Sequence, residues 1–158
     1  MEWNPQLQIV GEVALAIVLG GLIGLERETA DKPAGLRTHM LIAGAAALLV
    51  GIGNAMLLHF HAVAATDSYR PDPLRIIEAI VTGISFLGAG TIIRHNRRQQ
   101  IEGLTTAASM LFTGSLGVCV ALQLYLLAIG VTILALVVLR GVGAMERRLE
   151  RRRKTTSA

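Results

Sequence analysis

LTTAASMLFTGSLGVCVALQLYLLAIGVTILALVVL, residues 104–139, contains no charged residue in 36 positions. As a single helix it would reach about 54 Å, against a bilayer hydrocarbon core of about 30 Å, so it must divide into two spans. Gln123, with Gly130 beyond it, marks the turn region and gives helices over 104–122 and 124–140. Three further runs, 7–25, 40–58 and 76–93, carry one, zero and one charge, and each has the length of one span. The sequence therefore predicts an all-α polytopic membrane protein, a bundle of five transmembrane helices. Residues 7–140 form the membrane domain and 141–158 a basic tail. With 53% hydrophobic and 16% charged residues in 158 positions, the composition agrees. Residues 59–75 and 141–158, the longest pieces outside the spans, are far below the size of an unstapled soluble domain.

Lys and Arg positions supply an orientation. Thirteen of the fifteen lie in the first loop, the third loop and the tail, which five spans place on one side; only Arg70 and Arg75 lie on the other. The positive-inside bias predicts an outer N-terminus and a cytoplasmic C-terminus. Met1–Gln6 has no basic n-region and no A-x-A site follows the first apolar run, so the first helix is expected to be retained. Trp3, Phe60 and Tyr69 are expected near the outer interface. Cys119 is the single cysteine and sits in the fourth span, so no internal disulfide can form.

Small residues recur every four positions: Gly20 and Gly24; Ala43, Ala47, Gly51 and Ala55; Ser109, Thr113, Gly117 and Ala121. Each set lines one helix face, for packing within one subunit or for a homo-oligomer contact. SFLGAGTIIR, residues 85–94, places Gly88 and Gly90 in the third span, where each glycine costs about 1 kcal/mol relative to Ala in an exposed helix. Either a neighbour approaches the backbone closely there, or the helix is broken around a cavity. GLTTAAS, residues 103–109, opens the fourth helix, with Thr105 or Thr106 as a cap or a cross-helix hydrogen-bonding group.

Charge is concentrated in GLERETADKPAGLRTH, residues 24–39. Glu26, Arg27 and Glu28 end the first helix, and Arg37, Thr38 and His39 begin the second, so the loop gathers them on the cytoplasmic side with Arg94 and Thr105. A solvated loop with weak ion pairs would account for them, as would a partly membrane-embedded polar cluster that forms the functional surface. A second polar set, Glu12, Asn54 and Glu78, with His59 at the same level, lies toward the outside. Intramembrane carboxylates are candidate functional groups. Here Glu78 either pairs with Arg75 one turn away or joins Glu12 and the Asn54 oxygen around a hydrated divalent cation. No side-chain set with metal-site spacing stands out.

His39, His59, His61 and His95 lack HExxH spacing, and neither a GxSxG nor a P-loop motif occurs, so neither an enzyme nor a cofactor is expected. Residues 146–154, ERRLERRRK, hold six basic and two acidic residues, suited to anionic lipid headgroups or to anchoring the topology. A membrane-tethered tail without aromatic residues to stack bases does not suit nucleic acid.

GLERE at 24–28, AGLRTH at 34–39, GISFLGAG at 83–90 preceded by Arg75, and GLTTAAS at 103–109 occur in the order and spacing of the MgtC/SapB family, which the chain resembles over about residues 10–140. The resemblance implies a multi-pass protein of the bacterial inner membrane with about five helices. It makes Gly20, Gly24, Gly83, Gly88, Gly90 and Gly103 packing positions, and Glu26, Arg27, Glu28, Arg37, Thr38, His39, Arg94 and Thr105 the functional cluster. It further implies a regulatory or interaction protein linked to magnesium limitation and membrane energetics, with the F-type ATP synthase as a membrane-protein partner; the alternative is a magnesium carrier or channel. Some members carry a cytosolic ACT-type domain, for which MERRLERRRKTTSA leaves no room. Leu111 stands where the family commonly has Trp, Glu78 and Ala79 stand where it often has Ala-Gln, and Ser85 replaces a Gly.

Overall fold

The computed structural model describes residues 5–63, 72–95 and 100–156. Five helices follow in order: α1 (Pro5–Thr29), α2 (Leu36–Val63), α3 (Leu74–Thr91), α4 (Leu104–Ala121) and α5 (Tyr125–Thr156). Between α3 and α4 the third loop forms an antiparallel hairpin of β1 (Ile93–His95) and β2 (Gln100–Glu102), with Arg94 opposite Ile101. The all-α reading holds for the bundle, and this hairpin is its one addition among the described residues.

Among the described residues, α1, α2 from Leu36 to His59, α3 and α4 are each long and apolar enough to cross a membrane. The fifth apolar stretch, Tyr125–Gly141, is shorter, and its helix continues without a break to Thr156. The expected boundary between span and tail at residue 140 is therefore no break in the backbone, because the basic residues are good helix formers and neither Pro nor a turn sequence interrupts them. The division near Gln123 is as expected: Gln123 adopts φ 60, and Leu124 N donates to Cys119 O at 2.9 Å to close α4. Asp31, at φ 54, ends α1 in the same left-handed way. Trp3 and Tyr69 lie outside the described residues, as does the side chain of Phe60.

The centre is α1, α2 and α4, with α3 laid on α4 and α2, and α5 on α1 and α4. Its core is rich in alanine: Ala16, Ala43, Ala46, Ala47, Ala121 and Ala128 are all buried. Lipid tails are as apolar as leucine, so helices in a bilayer associate where small faces permit close van der Waals contact. A Cβ added at Gly20 would lie 2.7 Å from Ala43 Cβ and 2.8 Å from the His39 carbonyl oxygen. One added at Gly117 would collide with the carbonyl of Ala43. α2 is thus held between glycines of α1 and α4.

The glycines of α3 divide. Gly88 packs on Ala107, where an added Cβ would come within 3.2 Å, whereas at Gly83 and Gly90 it would meet nothing within 4 Å. The helix is unbroken over all three, so close approach accounts for Gly88 and the cavity reading falls. Gly103 is different again: at φ +91 it turns the hairpin into α4, and a Cβ there would strike the Thr91 carbonyl.

Candidate functional site

The site sits where α1 ends, α2 begins and α4 begins. Glu26 and Arg27, in the last turns of α1, are buried, and Arg27 folds back so that its Nη2 and Nε both bond Glu26 Oε2 at 2.5 Å. Adjacent helical positions do not normally face one another, so this pair forms because both side chains are turned inward. Glu28, one residue on, is exposed, and its Oε2 accepts a 2.8 Å hydrogen bond from the Leu36 amide. It thereby caps the N-terminus of α2, where free amides and the helix dipole favour a carboxylate. Gly35 leaves the room for this, since a Cβ there would fall 2.7 Å from Glu28 Oε2.

His39 occupies the first turn of α2 and is wholly buried, with 0% exposure. Its Nδ1 lies 2.9 Å from Gly35 O, and its Nε2 lies 3.0 Å from Ser109 Oγ on α4. Ser109 Oγ also lies 2.8 Å from Thr106 O, and Thr113 Oγ1 donates to Ser109 O at 2.8 Å. Gly35 O can only accept, so Nδ1 carries a proton; the single Ser109 hydrogen can serve Thr106 O or Nε2, but not both. Gly24 makes the geometry available. A Cβ there would lie 2.8 Å from Leu36 Cα and 2.9 Å from both Gly35 O and His39 Cβ. The backbone of α2 rests directly on α1, which fixes the imidazole toward α4.

Of the expected cluster, Glu26, Arg27 and His39 meet inside the bundle, with Glu28 at its edge. Arg37 and Thr105 are exposed and Thr38 is half-buried, so these three form the rim. Arg94 lies on β1, and its side chain is outside the described residues. The sequence sets Ser109 on a small packing face and leaves Thr105 or Thr106 as the hydrogen-bonding group, with Thr105 in the cluster; the structure buries Thr106 and Ser109 and links Thr106 to His39 through Ser109. The four-residue recurrence of 109 and 113 signalled the inward face, but only the opposing histidine shows that the serine is there as a hydrogen-bonding group.

The outer set divides by burial. Glu12 is buried, and its Oε1 accepts from Gln8 Nε2 at 3.0 Å and from Gln123 Nε2 at 3.4 Å, tying the α4–α5 turn to α1. Asn54 and Glu78 are exposed on α2 and α3. Among the described residues Glu78 forms no ion pair with Arg75, and no group of three His, Cys, Asp or Glu stands together.

The model of the MgtC family matches residues 13–148, the whole of the described helical site included. The chain belongs to the MgtC family. Curated relatives agree. It is 35% identical over 157 residues to an uncharacterized protein of Haemophilus influenzae, a match covering 97% of this chain and 65% of that one. It is 38% identical over 132 residues to the putative magnesium transporter YhiD of Escherichia coli, covering 84% and 59%. Protein MgtC of Brucella abortus is 37% identical over 118 residues, covering 75% and 44%. The chain thus spans about half to two thirds of the length of these relatives. No solved structure matches it. Membership in the MgtC family and four helices of membrane-spanning length make this a membrane protein with bacterial relatives.

Proposed function

We propose that this MgtC-family protein works in the bacterial inner membrane as a non-catalytic regulatory or interaction protein, and that the end of the bundle holding Glu26, Arg27 and His39 is its cytoplasmic working surface. The observation that carries this reading is the closure of that end. Each of its buried side-chain polar atoms has a partner within hydrogen-bond distance inside the bundle, and the backbones of α1 and α2 are separated by glycine alone at Gly20 and Gly24. Such packing suits a rigid seat more than a path for a hydrated ion. Around it, Glu28, Asp31, Lys32 and Arg37 are exposed, a mixed-charge rim suited to a protein partner. The family resemblance makes a membrane-energising complex such as the F-type ATP synthase the partner to test, under magnesium limitation.

Transport is the competing reading, favoured by the name of the Escherichia coli relative and by buried Glu12. Two measurements separate them. Arg37→Ala removes a rim charge without disturbing the interior; on the interaction reading it abolishes the protein's effect on growth in low magnesium at unchanged membrane level. In sealed liposomes holding a magnesium-sensitive dye, the purified protein is expected to give no influx. Protein-dependent influx that disappears in Glu12→Gln would overturn the interaction reading.

A further inference from the structure

Gly20, Gly24 and Glu28 stand four residues apart on one face of α1, and the first turns of α2 lie along that face. The two glycines let the backbone of α2 down onto α1: an added Cβ would fall 2.8 Å from His39 O at Gly20 and 2.9 Å from Gly35 O at Gly24. Glu28 ends the row with a hydrogen bond instead, its Oε2 taking the Leu36 amide at 2.8 Å.

The Leu36 N–H and the Gly35 carbonyl are the two ends of one peptide group. On one side of it stands the exposed Glu28 carboxylate, and on the other the buried His39 Nδ1, 2.9 Å from Gly35 O. A charged acceptor on the N–H polarises the peptide and makes its carbonyl a better acceptor, and in a low-dielectric interior linked hydrogen bonds strengthen one another by about 10–30% each. Across the ring, Nε2 lies 3.0 Å from Ser109 Oγ on α4. One chain of hydrogen-bonding groups therefore runs from solvent to α4. Of the exposed rim charges Glu28, Asp31, Lys32 and Arg37, Glu28 is the one whose side chain bonds into this chain of groups among the described residues. The ion pair at this end is Glu26 with Arg27, so the Glu28 charge is left to the amide.

We propose that Glu28 is the exposed input of a relay into α4: its carboxylate sets the His39–Ser109 bond through the Gly35–Leu36 peptide group. A basic group drawn onto the rim competes with the Leu36 amide for Glu28 and lowers the polarisation of the peptide. The Nδ1–H bond to Gly35 O then weakens, and the imidazole is held less firmly toward Ser109. What happens at the rim is thus felt where α2 meets α4. The coupling is reciprocal, so loss of the Ser109 hydroxyl loosens the Leu36 amide. The relay deepens the interaction reading of the rim and rests on it only for the source of the competing charge. It is measured in the purified protein without a partner, so its failure is distinct from failure of the growth test.

Two NMR measurements on the detergent-solubilised full chain, labelled with 15N, test it in both directions. The His39 Nδ1–H resonance, identified by its loss in His39→Gln, is expected to move upfield in Glu28→Gln and further in Glu28→Ala. It should stay in place in Asp31→Asn, which removes an exposed charge of the same sign outside the relay. In the reverse direction, Ser109→Ala should raise hydrogen exchange at the Leu36 amide several-fold, and Ser115→Ala, on the exposed side of α4, should not. A helix cap that acts only locally predicts no effect of Ser109 on Leu36. Ser109→Cys, close in size and a weaker hydrogen-bonding group, gives the same reading if Ser109→Ala lowers the membrane level. A His39 resonance that ignores Glu28, one that moves equally with Asp31, or equal Leu36 exchange in the Ser109 and Ser115 variants would each overturn the proposal.

Discussion

The His39 imidazole reaches from the first turn of α2 to Ser109 Oγ on α4, 3.0 Å away across 70 residues of sequence, with no exposure to solvent or lipid. This bond and the glycine contacts of α1 hold the three central helices at one end of the bundle. Interhelical hydrogen bonds in membranes average well under 1 kcal/mol and reach nearly 2. Leaving a fully buried partner unsatisfied costs about 1–3 kcal/mol. Ser109→Ala, which strands Nε2, is therefore expected to lower the thermal midpoint of the detergent-solubilised protein, by more than Ser115→Ala on the exposed side of the same helix. Equal midpoints for the two variants would show that the His39 bond adds nothing.

The Glu26–Arg27 pair gives a sharper expectation. Removing one member of a buried pair leaves an uncompensated charge, worth about 3–5 kcal/mol in soluble proteins. Glu26→Ala should accordingly destabilise far more than Arg37→Ala, whose side chain is exposed. The double variant Glu26→Met, Arg27→Met should recover most of the loss, because apolar side chains of similar volume need no partner. Chemical or thermal denaturation of all three, with the wild type, completes the comparison.

Glycine positions are expected to fall into two classes. Gly20→Val and Gly88→Leu place atoms against Ala43 and Ala107 and should lower stability by about 1–3 kcal/mol, as overpacking does. Gly83→Ala and Gly90→Ala introduce a Cβ into open space, so the solubilised monomer should be unchanged or up to about 1 kcal/mol more stable through helix propensity. Thermal midpoints of the monomer separate the classes.

Orientation is open to a direct test. Thirteen basic residues on one side against two on the other predict that a reporter active only in the cytoplasm works after Ala158 and fails when inserted at Asp67. The reverse at both positions would invert the proposed working surface.

The sequence by itself settled the class of protein and the spacing of its helices. Charge-free runs measured against bilayer thickness located the spans, the excess length of 104–139 required a turn, and Gln123 supplied it. Those conclusions need only the one-dimensional pattern of polarity, since every backbone group in a bilayer must be satisfied within a helix. The clustering of charges at 24–39 was equally legible, because a short loop cannot carry the two helix ends apart.

Only the tertiary structure decided which of those charges turn inward. Glu26, Arg27 and Glu28 are consecutive, yet two are buried and the third caps α2 from outside. In a soluble protein the apolar stripe of a helix announces its inner face. A membrane helix is apolar on every side, because lipid and core are equally apolar, and that signal is erased. What remains is the pattern of small residues, which marks close approach but not by whom: Gly20 and Gly88 meet neighbours in this chain, and Gly83 and Gly90 do not. The partnership of His39 with Ser109 likewise depends on how α2 lies between α1 and α4, a relation set by shape complementarity over many residues.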